Sequence, residues 1–264
     1  MKSRDSIPKA RPLAAWVGGK RSLAHRLIRR IGAVPHHLYA EPFVGLGGVF
    51  LRRSHPAPVE VINDRSADVI NLFRICRHHP EALLSEMRLQ LVSRAEFRRL
   101  AAIAPDTLTD VQRAARFLTL QRLVYGGKPG SLSFPTRPSR PSSLDSQSLR
   151  AAIEALHDRL SKVTIENLDY HEFITRYDRE NALFYLDPPY YLCEHYYGRD
   201  LFRRADFSRL ADLLGNIKGR WLMSINDHPE IRRLFAHFQI DEEPVNYRIG
   251  GLVKPVVELV VYSR

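Results

Sequence analysis

Apolar residues in this 264-residue chain fall into short runs bounded by turn residues, and these runs alternate with stretches of helical period. A short strand at the start of Leu38–Phe50, together with Val59–Asp64, Val163–Asp169, Ala182–Leu186 and Arg220–Asp227, reads as the strand set. Ala182–Leu186 is apolar throughout, as expected of a strand buried on both faces of a parallel sheet. Between them, Ser22–Ile31 places Leu23, Leu27, Ile28 and Ile31 on one helical face. Ser66–Cys76, Pro80–Leu91, Ser93–Ala102, Asp110–Val124, Leu149–Leu160 and Phe207–Leu214 continue the helical pattern, and another helix begins at Pro229. Strands alternating with helices predict an α/β fold.

Composition narrows the setting. The 44% apolar content is ordinary, and no run is long enough to cross a bilayer. Only Cys76 and Cys193 are present, far apart, and the eleven histidines show no paired ligand spacing, so no metal and a reducing, cytoplasmic setting are expected. Cys193 reads as a bystander thiol. The formal charge of +11 is unevenly spread. Residues 1–40 carry nine Lys/Arg against Asp5 alone, and residues 88–150 carry eleven against four acids, leaving the remainder net acidic. Two basic segments of this kind suit a polyanionic partner; an arginine-rich proteome from a high-GC genome is the other explanation.

The chemistry concentrates after the Ala182–Leu186 strand, in Asp187-Pro188-Pro189-Tyr190. Active sites of open α/β sheets lie beyond the carboxyl ends of the strands. The prolines fix φ and offer carbonyls without amide protons, so Asp187 and Tyr190 are held at a set separation. The Asp187 carboxylate and the Pro188 carbonyl can each accept one N–H of an exocyclic amine, freeing its nitrogen lone pair, while Tyr190 offers a face for a planar ring.

Three further stretches bear on a ligand. Trp16-Val17-Gly18-Gly19-Lys20 precedes the first helix, with glycines that permit close backbone approach. Glu41 to Gly48 forms a glycine-rich turn after the first strand, without the dinucleotide spacing. Asp64 ends the second strand, where an acid can accept ribose hydroxyls or else cap the following helix. Two later positions stay open. Asp169 reads more readily as a helix cap than as a cofactor contact, and Asn226-Asp227 either line a target pocket or cap the helix at Pro229.

Trp16 to Lys20, Glu41 to Gly48, Asn63-Asp64 and Asp187 to Tyr190, in that order, resemble the D12-class, Dam-like adenine-specific DNA methyltransferases, closest to the prophage type. The resemblance covers nearly the whole chain. It implies a Rossmann-like S-adenosyl-L-methionine-dependent methyltransferase sheet with a C-terminal antiparallel hairpin (Phe238–Glu242 and Val256–Tyr262), built from residues 1–80 and 151–264. A small, mainly helical DNA-recognition insertion is expected at 81–150. It implies Asp187, Pro188, Pro189 and Tyr190 as catalytic, and Trp16, Lys20, Phe43, Gly45, Asp64 and Asp187 as cofactor contacts. The implied reaction is direct methyl transfer to the 6-amino group of a flipped-out adenine.

Double-stranded DNA is the implied partner, with Arg122, Tyr125, Lys128, Arg137 and Arg140 as candidate contacts from the insertion. A cognate restriction endonuclease, a bacterial or phage origin, and a monomer or weak dimer complete the expectation. Dam-like readers of GATC carry an Asn-Arg-Tyr-type signature where this chain has Leu120-Gln121-Arg122-Leu123-Val124-Tyr125-Gly126-Gly127, so GATC specificity does not carry over. Tyr191 to Arg204 is expected to form a loop closing over the base. Transfer to the 4-amino group of cytosine or to RNA, and a silent DNA-binding relative, are the rival readings.

Overall fold

A computed structural model of the chain describes residues 10–124, 134, 146–194, 201–249 and 252–263. Its helices among these residues are α1 (Ala24–Ala33), α2 (Ala67–His78), α3 (Pro80–Arg88), α4 (Arg94–Ala102), α5 (Asp110–Leu123), α6 (Ser146–Leu160), α7 (Tyr170–Tyr177), α8 (Asp206–Leu214) and α9 (Pro229–Leu234). The strands are β1 (Leu38–Glu41), β2 (Val59–Asn63), β3 (Val163–Glu166), β4 (Ala182–Leu186), β5 (Arg220–Asn226), β6 (Gln239–Ile249) and β7 (Leu252–Tyr262). After the glycine-rich turn the chain makes a short 3-10 turn, Phe50–Arg52.

One seven-stranded sheet runs in the order β3-β2-β1-β4-β5-β7-β6. β4 lies parallel to β1 on one side and to β5 on the other, which explains its five consecutive buried residues. From β1 the strand order runs outward one way, and from β4 the other way. That reversal puts a switch point between β1 and β4, the place where open α/β sheets leave a crevice at the strands' carboxyl ends. Glu41 and Asp187 follow from those two strands.

The hairpin of β6 and β7 is antiparallel and longer than its sequence suggested. Pro244 and Pro255 interrupt the apolar pattern and shorten the apparent strands. Pro244 sits on β6, the sheet's outer strand, and Pro255 lies in the part of β7 beyond its pairing with β5, which spans Glu258 to Tyr262. A missing amide proton is tolerated at such edge positions.

The chain divides into two compact units that are discontinuous in sequence. One comprises Met1–Gly19, Gly45–Ser54 and Ser66–Ile165; the other comprises Lys20–Val44, His55–Arg65 and Glu166–Arg264. The chain passes between them within β3. Within the first of these units α2 packs with α3, α5 and α6. Its start is capped by Ser66, whose Oγ accepts from the Val69 amide, and Asp68 pairs with Arg113 of α5 at 2.6 Å. α5 opens with a capping box between Thr109 and Gln112. In the other unit, Phe173, Phe184, Phe207, Trp221 and Met223 anchor a core around β4.

Candidate active site

β4 delivers Asp187 at its carboxyl end with Pro188 and Pro189 buried behind it. The Asp187 side chain is 24% exposed, enough for contact with a ligand. Oδ1 is held by Lys20 Nζ at 2.9 Å, and among the described residues Oδ2 has no partner. Nor does any described residue donate to the Pro188 carbonyl. Burial pushes the Asp187 carboxyl up to about 6; Lys20 opposes the rise and Glu258 adds to it.

Lys20 arrives from the turn that starts α1, its carbonyl accepting from the Leu23 and Ala24 amides. Its side chain is 1% exposed and reaches three groups at once. Besides Asp187 it donates to the Tyr190 hydroxyl at 2.6 Å and pairs with Glu258 Oε2 at 3.3 Å. Burial alone would lower the ammonium pKa, but the two carboxylates overcome this and leave it raised. Lys20 is therefore a cation, and it touches both ends of the Asp187–Tyr190 tetrapeptide.

Glu258, which the sequence reading did not single out, completes the arrangement. Its side chain on β7 is 2% exposed, and its Oε1 accepts from the Tyr190 hydroxyl at 2.7 Å. The strand register places Glu258 opposite Asn226 of β5 and opposite Glu243 of β6. Directly opposed residues share a face of the sheet, so these three polar side chains form a row. Glu243 binds Arg26 and Arg30 of α1 at 2.6 and 2.8 Å. Asn226 accepts from the Tyr191 amide at 2.9 Å and donates to the Tyr191 carbonyl. The signal for Glu258 was a lone acid inside the apolar run Val256–Val261.

Other positions resolve as follows. Asn63, fully buried, donates to the Pro42 and Leu168 carbonyls and accepts from the Leu168 amide, while its own carbonyl accepts from Val44. It thereby ties the turn after β1 to the segment after β3. With Ser66 capping α2, Asp64 is not the cap; it stands partly exposed at the end of β2, its carbonyl accepting from Asn167. Phe43 packs against Tyr170 and Phe202. Asp169 caps α7 through the His171 amide, as its position suggested. His228 caps α9 and Asp227 pairs with Arg232, so neither Asn226 nor Asp227 serves as that cap. Within Tyr191 to Arg204, Tyr191 and Phe202 are buried in the core around β4, and residues 195–200 lie outside the described residues.

In the other unit, Gly45 has φ of +50°, and a Cβ there would meet Trp16 Nε1 at 2.7 Å. The indole of Trp16 thus lies directly on the glycine turn, with Phe117 against its other contacts at a centroid distance of 6.3 Å. Only glycine fits under it. Arg122 donates to the Leu13 carbonyl at 2.6 Å, so part of its guanidinium is committed to the fold. Tyr125, Lys128, Arg137 and Arg140 lie outside the described residues. Among the described residues no group of His, Cys, Asp and Glu is placed to hold a metal, and no helix is long and apolar enough to cross a membrane.

Residues 16–249 match the family model described as D12 class N6 adenine-specific DNA methyltransferase. The chain is 26% identical over 256 residues to the type II methyltransferase M1.LlaDCHI of Lactococcus lactis subsp. cremoris, covering 87% of this chain and 86% of that protein. It is 24% identical over 246 residues to the type II methyltransferase M.CviBI of Paramecium bursaria Chlorella virus NC1A, covering 90% and 91%. A DNA adenine methylase of Serratia marcescens is 29% identical over 125 residues, 46% of this chain and 45% of that protein.

Proposed function

The chain belongs to the D12 class of N6 adenine-specific DNA methyltransferases, and on that premise we propose that Asp187, Pro188, Pro189 and Tyr190 carry methyl transfer to the 6-amino group of a flipped-out adenine. The observation that carries this reading is the Lys20 ammonium bridging Asp187 and Tyr190 beside the sheet's switch point. Asp187 Oδ2 and the Pro188 carbonyl accept the two N–H groups of the amine and draw its lone pair out of the ring. Tyr190, held at its hydroxyl, supplies the stacking surface, worth roughly 1–3 kcal/mol per base. Extruding the base costs about a few kcal/mol, offset by these contacts. Asp187 is ionised above pH 6 and can accept hydrogen bonds there.

The residues present fit S-adenosyl-L-methionine. Lys20, Asp187 and Glu258 carry one positive and two negative charges, a net negative site suited to a cationic ligand. Bound there, S-adenosyl-L-methionine supplies an electrophilic sulfonium methyl group. Trp16, Lys20, Phe43, Gly45, Asp64 and Asp187 are the proposed cofactor contacts. Arg122, Tyr125, Lys128, Arg137 and Arg140 are proposed to contact double-stranded DNA. Because two relatives are type II methyltransferases by name, a cognate restriction endonuclease is the proposed partner system.

The test is incubation of the chain with methyl-labelled S-adenosyl-L-methionine and DNA, then digestion to nucleosides. Label in N6-methyladenine supports the reading. Label in N4-methylcytosine, or in RNA but not DNA, overturns the assigned target, and cofactor binding without labelled product identifies a silent relative.

A further inference from the structure

We infer that Glu258 is a positioning residue for methyl transfer, holding the Tyr190 hydroxyl while sharing the Lys20 ammonium with Asp187. The inference rests on the function proposed above and extends it to a side chain outside the Asp187–Tyr190 motif. Four contacts close a ring: Asp187 to Lys20 at 2.9 Å, Lys20 to Tyr190 at 2.6 Å, Tyr190 to Glu258 at 2.7 Å and Glu258 back to Lys20 at 3.3 Å. The tetrapeptide is thereby fixed at both ends, at its first residue by an ion pair and at its last by a hydroxyl that donates to one side chain and accepts from another.

Burying a carboxylate is costly unless it is paired, and an apolar residue would continue the Val256-Val257…Leu259-Val260 run without that cost. The acid at 258 therefore does something that packing does not require. Its row along the sheet shows what. Asn226 fixes the Tyr191 backbone, Glu258 fixes the Tyr190 hydroxyl, and Glu243 fixes α1, which follows directly from Lys20. Three adjacent strands thus hold the loop and the segment that carries its counter-ion. Glu258 also draws on the same ammonium as Asp187, so it sets how strongly that ammonium stabilises the ionised Asp187. The charged groups that act on Asp187 are Lys20 before α1 and Glu258 on β7. Tyr185 on β4 lies within the field of Asp187 and faces Glu41 and Tyr39 of β1, its hydroxyl bonded to Ser224 of β5, and Tyr190 bonds both Lys20 and Glu258.

The test compares the parent with Glu258→Gln, Tyr190→Phe and the double variant, using kcat and KM across pH 5 to 8, with thermal unfolding as the folding control. Each single variant is expected to lose about 10- to 100-fold in kcat with KM for DNA changing less than about threefold, as for a misplaced reacting group. The double variant should lose less than the product of the two single losses, because both changes weaken the same Tyr190–Glu258 hydrogen bond. The acid limb of Glu258→Gln should move to lower pH, since Lys20 then serves Asp187 alone. A Glu258→Gln enzyme with parental kcat and an unmoved acid limb, or losses that multiply in the double variant, overturns the inference. If Glu258→Gln does not fold, Tyr190→Phe decides, and parental kcat in that variant overturns it. A parent that methylates no DNA overturns instead the functional reading beneath it.

Discussion

Asn226 grips the backbone of Tyr191 from both sides, accepting from its amide at 2.9 Å and donating to its carbonyl at 3.3 Å. This amide clamp sits at the carboxyl end of β5 and stops the catalytic loop from sliding along the strand. Asn226→Ala leaves both backbone groups without this partner, which costs about 1–3 kcal/mol for a buried group. The expected result is a fall in kcat of at least about tenfold with little change in S-adenosyl-L-methionine affinity. Steady-state kinetics paired with calorimetry of the cofactor will check it.

Asp187→Asn should abolish methyl transfer while leaving a folded protein. The sign of the stability change follows from the raised carboxyl pKa. A carboxyl shifted up from 3.8 to about 6 favours the folded state below pH 4, and that stability is lost as pH rises through 6. Ionised Asp187 thus costs stability at pH 8. Removing its charge leaves Lys20 paired with Glu258 in a neutral set, so the unfolding temperature of Asp187→Asn at pH 8 should be no lower than the parent's. Differential scanning calorimetry of the two proteins gives the answer.

The same shift governs activity. Methyl transfer should rise about tenfold per pH unit below pH 6 and level off above it, because only ionised Asp187 accepts from the amine without donating. The pH profile of kcat/KM, which reports groups of the free enzyme, checks this; an acid limb near pH 4 would mean that burial does not act on Asp187.

Lys20→Met removes the cation that pairs with both Asp187 and Glu258. Breaking a buried pair in this way costs about 3–5 kcal/mol, or roughly 10 °C in unfolding temperature for a chain of this size. The loss should shrink towards pH 5 as Asp187 becomes protonated, and cofactor affinity should fall more than DNA affinity.

Basic residues should divide into two classes by salt dependence. Arg30 is tied to Asp241 and Glu243, and Arg26 to Glu243. Arg30→Ala should therefore weaken the fold without altering the slope of DNA affinity against salt. Arg137→Ala should reduce that slope by about one, as expected when one phosphate contact is lost. Fluorescence anisotropy between low and moderate salt separates the two.

Much of this arrangement was legible in the sequence because the residues concerned lie in contiguous motifs. β4 announced itself as an apolar run ending in Asp187, and Lys20 and Asp64 stood beside glycines or at a strand end. The charge reading was less secure: nine cations in residues 1–40 suggested a polyanion surface, yet Arg26 and Arg30 face acids on β6, some two hundred positions away. Asn226 stood open between a pocket residue and a helix cap, and its clamp on Tyr191 could not be read locally, because it requires knowing that β4 and β5 are neighbours. Glu258 escaped altogether. Its meaning depends on β7 entering the sheet between β5 and β6, and no local pattern encodes that register.

β7 pairs with β5 although β6 is translated in between, so the outer edge of β5 stays bare while most of the polypeptide is already made. A product cut short ahead of β7 keeps every recognisable motif but exposes an unpaired strand edge, a template for aggregation, and lacks the acid at 258.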